Sequence, residues 1–221
     1  MRKYFFLLLL PIIIPLVNQA QNHSLEYGFT GGLTINSSSG SGVEGTKQSN
    51  FTGMSIGGQV KLNTSHQFGF RMIAEFAQLG WKYPSLTFAD SANLYKGSVT
   101  FKMSYFNVPI MAEFSFGRKL RYYFDGGLFV GVLLKSQNIT KLPGSPTPNT
   151  TSTSSDYRKK INYGLAGGIG LELPLSSKMN IHLSCRDMAG LANVYKQAGF
   201  PGTKIILNSL SVNTGIAWRI L

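Results

Sequence analysis

His182 and Ser184, with Leu183 between them, come nearest in type and spacing to a hydrolytic pair. On a strand, residues i and i+2 share a face, so an imidazole could take the hydroxyl proton and make the oxygen a nucleophile for acyl transfer. That chemistry also needs hydrogen-bond reach between the two groups and an acid that orients the imidazole. A second set could do different work. Arg71, Glu75, Glu113, Arg121, Asp125, Glu172, Arg186 and Arg219 are ionisable residues scattered through apolar surroundings. Gathered in one interior, they form either a catalytic or ion-conducting cluster or a network of mutually paired charges, because buried charges must be paired. The other candidates are thinner. His23 and His66 have no ligand spacing between them, and Cys185 stands alone. The glycine pairs at 31–32, 57–58, 126–127 and 167–168 open no helix and so are not phosphate loops. No metal centre and no cofactor is expected.

The elements that must position these residues are strands. From Ser98 to Lys135 the chain reads as a hairpin with its turn at Gly117-Arg118-Lys119. In the second arm Tyr122, Phe124, Gly126, Leu128, Val130, Val132 and Leu134 alternate with Arg121, Tyr123, Asp125, Gly127, Phe129, Gly131 and Leu133. Such alternation means a strand with one oily face and one mixed polar face. Strands of soluble domains are typically ~5–6 residues long, whereas a bilayer-crossing strand needs ~9–11. Eight such segments run at about 25–36, 50–62, 66–81, 98–116, 121–135, 159–173, 179–193 and 205–221. Long and short connections alternate between them, with polar loops at 82–97 and 136–157. The pattern predicts an all-β fold: a transmembrane eight-stranded antiparallel up-and-down β-barrel, with short periplasmic turns and long extracellular loops. Tyr27, Phe68, Phe114, Phe116, Tyr122 and Trp218 fall near the short-turn end, as an interfacial girdle would. Trp81, Tyr83 and Tyr163 fall near the other end.

Charged residues test this barrel, because a lipid-facing Lys or Arg at the midplane costs ~2–4 kcal/mol. In six of the eight strands the charges, Lys61 among them, take the phase opposite the oily face. The fourth strand slips phase near Tyr105–Phe106, where a bulge is expected. The seventh carries adjacent Arg186 and Asp187, which cannot both point inward, and a bulge is expected there too. The soluble rival is a lipocalin-like barrel with its oily face inward; strand length, girdles and loop asymmetry favour the membrane form. An eight-stranded barrel is just wide enough for side chains to fill, so a plug of paired charges is the expected state of the eight ionisable residues. His182 and Ser184 then sit at the periplasmic end and point into the lumen. Barrel enzymes that deacylate lipid A use the same i, i+2 spacing but need their site in the outer leaflet.

Met1-Arg2-Lys3, the apolar run 4–17 and Asn18-Gln19-Ala20-Gln21 read as a secretory signal peptide cleaved after Ala20, leaving 21–221 as one domain. A retained anchor is the alternative, but the run is short and holds Pro11 and Pro15. The formal net charge of +12 suits anionic head groups; export argues against nucleic acid. The loops carry Lys47, Lys82, Lys96, Lys141, Arg158, Lys159, Lys196 and Lys204 against Glu44, Asp90 and Asp156. Cys185 is expected to be a small buried residue. Leu221 ends the chain where outer-membrane barrels commonly finish on Phe.

Residues 105–114, Tyr-Phe-Asn-Val-Pro-Ile-Met-Ala-Glu-Phe, and then Tyr122-Tyr123-Phe124-Asp125-Gly126-Gly127 resemble the PorT-like outer-membrane barrel family of Bacteroidetes. Residues 27–33 resemble its opening strand and residues 189–194 its penultimate one. The resemblance implies a small barrel in the bacterial outer membrane, in a family whose founding member is associated with secretion. The expected function is therefore non-enzymatic: a side-chain-plugged barrel whose basic extracellular loops serve envelope structure or assist secretion and assembly. Its expected partners are outer-membrane lipids, lipopolysaccharide and an envelope or secretion protein. A narrow diffusion pore and a lipid-modifying barrel enzyme are the alternatives.

Overall fold

A strand in hydrocarbon must find partners for its backbone N–H and C=O groups on both edges, and here each long strand does. The computed structural model describes residues 24–40, 48–90, 93–144, 149–153, 157–196 and 204–220. Their strands are β1 (Ser24–Ser39), β2 (Ser49–Asn63), β3 (Phe68–Asp90), β4 (Asn93–Phe116), β5 (Arg121–Lys141), β6 (Asn149–Thr153), β7 (Ile161–Pro174), β8 (Met179–Gly190) and β9 (Ile206–Ile220). All but β6 join a ring of eight in which every strand pairs antiparallel with two neighbours, β4 with β5 and β9 with β1 closing the circuit. This is the eight-stranded up-and-down barrel. The leader expected at residues 1–20, together with His23, Glu44, Lys47, Asp156 and Leu221, lies outside the described residues.

The ring is staggered. Following paired neighbours from Leu62 through Phe70, Ala112, Gly126, Gly167, Asp187, Leu210 and Ile35 returns to β2 at Thr52, ten residues from the start. With ~3.3 Å per residue and ~4.8 Å between strands, that stagger tilts the strands by about 40°. Each step along the row climbs about 3 Å towards the long-loop end.

Several expectations need correction. The polar stretches at 82–97 and 136–157 are not free loops. β3 and β4 continue pairing through Asp90 and Asn93, and β5 runs on to Lys141, where β6 folds back on it. Thr and Asn side chains tolerate this because the sheet there has left the lipid. Second, β4 carries no phase slip at Tyr105–Phe106. Met103, Tyr105, Asn107, Pro109, Met111, Glu113 and Ser115 are all buried inward without interruption. Above that level the interior becomes apolar, so hydrophobicity changes face while the backbone keeps its phase. The irregularity belongs to β5: pairing jumps from Ser104–Lys135 to Tyr105–Leu133, leaving Leu134 as a bulge. Third, β8 has no bulge. Its pairing with β7 and β9 is continuous through Arg186 and Asp187, so Arg186 is buried inside and Asp187 is exposed on the outer wall. Cys185 on that wall is half-buried rather than buried.

Asp187 stands five strands along the climbing row, about 15 Å up an apolar band about 25 Å tall. A carboxylate there opposes lipid, flanked by Gly167 and Leu210. Asp187→Leu is therefore expected to raise the unfolding free energy in lipid vesicles by about 1 kcal/mol. Urea titration of the refolded barrel measures it, and a loss of stability would show that Asp187 has a favourable environment on the wall.

Candidate functional site

Inward positions of the short-turn half collect the ionisable residues. Lys61 on β2 pairs across the ladder with Arg71 on β3, and two carboxylates from β4 and β7 face both. Lys61 Nζ lies 2.6 Å from Glu113 Oε1 and donates to Glu172 Oε1 and Oε2 at 2.8 and 3.0 Å. Arg71 Nη2 lies 2.5 Å from Glu113 Oε2 and donates to Glu172 Oε1 at 2.8 Å. Two cations and two carboxylates, none more than 4 % exposed, make a neutral quartet. Neutrality matters because an unpaired ion in so dry a place would carry a desolvation penalty of several kcal/mol. Arg71 is held further by Tyr123, whose hydroxyl accepts from Nη1 at 2.8 Å and whose ring centroid lies 4.2 Å from the guanidinium carbon. Gly170, opposite Tyr123 on β7, is what admits that ring: a Cβ there would lie 2.4 Å from it.

Two further pairs flank the quartet. Arg186 Nη2 meets Glu75 Oε2 at 2.5 Å just above the quartet. At the lower rim, Arg219 Nε and Nη2 donate to Glu26 Oε1 at 3.0 and 2.7 Å, and Asn63 and Asn180 donate to the same carboxylate. The structure thus brings Arg71, Glu113 and Glu172 into one group and joins Glu75 with Arg186, while Arg219 pairs with Glu26. Arg121 stands apart: it is half-buried and donates to His66 O and Ser115 Oγ. Asp125 is half-buried on the inward face and forms no ion pair among the described residues. Glu26 was missed, although its place between outward Leu25 and Tyr27 is the signal that would have found it. Lys61 shows its inward phase in the sequence, but not its membership of the quartet.

His182 is buried, with Nδ1 3.2 Å from Gln59 Nε2, and its backbone O accepts from Thr214 Oγ1. No hydrogen bond joins it to Ser184. Both line a cavity of about 10 Å³ together with Thr30, Gln59, Asp125 and Arg186, room for about one water. An acyl ester has no place there.

Above the quartet, apolar side chains enter the lumen. Ile73, Met111, Phe129, Ala166 and Met188 form one buried layer. A larger cluster of Ala77, Leu79, Trp81, Tyr83, Met103, Tyr105, Leu133, Val194, Tyr195, Ile205 and Leu207 fills the long-loop end. Trp81 and Tyr83 are therefore interior residues and not lipid-facing belt residues. Arg158 is likewise no exposed loop cation. It is 1 % exposed, its guanidinium carbon 3.8 Å from the Tyr195 ring centroid and 5.1 Å from that of Trp81. Burial pushes its pKa below the ordinary arginine value, and Tyr195 acts in the opposite direction. Outside, the six short-turn aromatics lie on the outer wall in contact with one another: Tyr27 stacks on Trp218 at 5.9 Å, Phe68 meets Phe114 at 4.9 Å, and Phe116 stacks on Tyr122 at 5.6 Å.

A family model described as outer membrane protein beta-barrel domain matches residues 19–196. The solved structure of neisserial surface protein A is 13% identical, covering 90% of this chain and 100% of that one with a TM-score of 0.47. OprG from Pseudomonas aeruginosa is 13% identical, covering 91% and 96% with a TM-score of 0.47. Ail, the attachment invasion locus protein of Yersinia pestis, is 14% identical, covering 88% and 98% with a TM-score of 0.41. No curated protein matches the chain.

Arg71→Met and Arg186→Met should each destabilise the barrel by about 3–5 kcal/mol, since each leaves a buried carboxylate short of a cation. Arg121→Ala, which removes only hydrogen bonds at the rim, should cost about 1–2 kcal/mol. Urea unfolding in vesicles ranks the three; equal losses would mean that Arg121 is as embedded in the charge network as the other two.

Proposed function

The chain belongs to the outer membrane protein beta-barrel domain family, and on that premise we propose that it is a non-enzymatic barrel with a closed lumen that acts at its long-loop end. One observation carries the proposal. Paired charges occupy the lower lumen, apolar layers occupy the upper lumen, and the cavity beside His182 has room for about one water. A path for ions would have to pass both a dry apolar cap and a neutralised quartet. The His182–Ser184 pair has neither the mutual hydrogen bond nor the space that acyl transfer requires. What remains open to the outside is the long-loop end, where Lys96, Lys141, Lys159, Lys196 and Lys204 are exposed. Loops on a rigid scaffold are where binding usually resides. Lipopolysaccharide phosphates and an acidic envelope protein both suit that sign of charge. The resemblance of residues 105–114 and 122–127 to PorT-like barrels supports the finer assignment, an accessory to secretion or envelope assembly in Bacteroidetes, exported by the leader at 1–20.

Two measurements test this. Purified protein in planar bilayers should give no ohmic conductance steps; reproducible steps would replace the closed barrel with a narrow pore. In-membrane cross-linking followed by purification should recover a specific envelope protein at near-equal amount. Recovery of the barrel alone would remove the accessory role and leave a solitary surface barrel.

A further inference from the structure

Three lysines lie on the outer wall, apart from the lumen and from the loop tips. Lys82 on β3 sits between inward Trp81 and Tyr83, Lys102 on β4 beside inward Met103, and Lys135 on β5 beside inward Ser136, so all three point away from the barrel. They occupy successive rungs of the β3–β4–β5 sheet: Gln78–Ser104–Lys135, Gly80–Lys102–Gln137 and Lys82–Thr100–Ile139. Each rung holds one lysine, each strand contributes one, and none of the nine positions is acidic. The rungs climb from β3 to β5 with the strand tilt. Stepping down one rung per strand therefore brings the three lysines to within about 4 Å of one height. Diagonal neighbours on such a sheet are ~7–8 Å apart. The Leu134 bulge completes the set, because it turns two consecutive side chains, Leu134 and Lys135, to the outer face.

Immediately below, the wall is apolar. Phe76, Phe106 and Val132 form the next rung, with the two phenyl rings 5.1 Å apart and exposed Leu134 beside them. The lysines stand about 30 Å above the level of Leu62, just beyond an apolar band about 25 Å tall. That is the head-group level of the outer leaflet. None of the three forms an ion pair among the described residues.

We infer that Lys82, Lys102 and Lys135 form a binding site for a phosphorylated glycolipid of the outer leaflet. The ammonium groups take its phosphates, and its acyl chains lie on Phe76, Phe106, Val132 and Leu134. From Lys82 to Lys135 the site spans about 16 Å in two diagonal steps, a reach suited to a head group with two phosphates rather than one. The site rests on the outer-membrane placement and not on the closed lumen or a protein partner.

The full chain, exported and purified in phosphatidylcholine nanodiscs doped with lipid A, provides the test, with retained lipid counted by native mass spectrometry. Bisphosphorylated lipid A should be retained at least about tenfold over its dephosphorylated form. That preference should vanish in Lys82→Gln/Lys102→Gln/Lys135→Gln and persist in the short-turn variant Arg118→Gln/Lys119→Gln/Lys178→Gln, which removes as many exposed charges at the opposite end of the barrel. Heat-modifiable gel mobility verifies that both variants are folded. Undiminished retention in the wall variant, or equal loss in the two variants, would overturn the site. Equal retention of phosphatidylglycerol would overturn the commitment to a glycolipid.

Discussion

Backbone amides in hydrocarbon have no water to bond, and the rest of this structure depends on that constraint. A sheet with a free edge is excluded, so the strands close. Closing eight strands with a ten-residue stagger sets the tilt and leaves an interior that side chains can fill. Once the outer face is given to lipid, the inward phase is the only place for charge. Charge in so narrow a space must be balanced residue by residue, and the quartet of Lys61, Arg71, Glu113 and Glu172 is the outcome.

The balance has a cost in freedom. Each of the four groups has two opposite charges within ion-pair distance, so the position of any one is determined by two others on different strands. Tyr123 and the absent side chain at Gly170 extend the same dependence into β5 and β7. Removing one partner exposes a buried charge, whereas replacing the entire set with apolar residues of similar volume could be neutral. The network is better understood as fixing the register of β2, β3, β4 and β7 than as a source of net stability.

Much of this was legible in the sequence because alternation has a fixed period. Strand count, order, orientation and the inward phase of Arg71, Glu75, Glu113 and Glu172 follow from which residues share parity with an oily neighbour. What parity cannot report is partnership: nothing local says that Lys61 meets Glu172, 111 residues away. Parity also misleads where the two environments exchange places. Tyr105 beside Phe106 looks like a slipped strand, although the backbone runs true and only the interior has changed from polar to apolar. Arg158 illustrates a different blindness, since a cation in a polar loop gives no sign that three aromatic rings will enclose it. A mean hydropathy near zero, +0.03, is likewise the average of two opposite faces and describes neither.

The exchange of environments on β3 carries a mechanical consequence. Going up that strand, the outer face passes from Phe68, Phe70, Met72 and Phe76 to Gln78 and Lys82, while the inner face passes from Arg71 and Glu75 to Ala77, Leu79 and Trp81. The crossover lies within a few residues on both faces, and β4 and β5 repeat it at Tyr105–Phe106 and at Leu134–Lys135. It acts as a waterline drawn around one side of the hull. A barrel that rode one residue pair too deep would drag lysines into hydrocarbon, and one that floated too high would lift its phenylalanines into water. Both displacements are opposed, so immersion depth is self-correcting and needs no anchor beyond the wall itself.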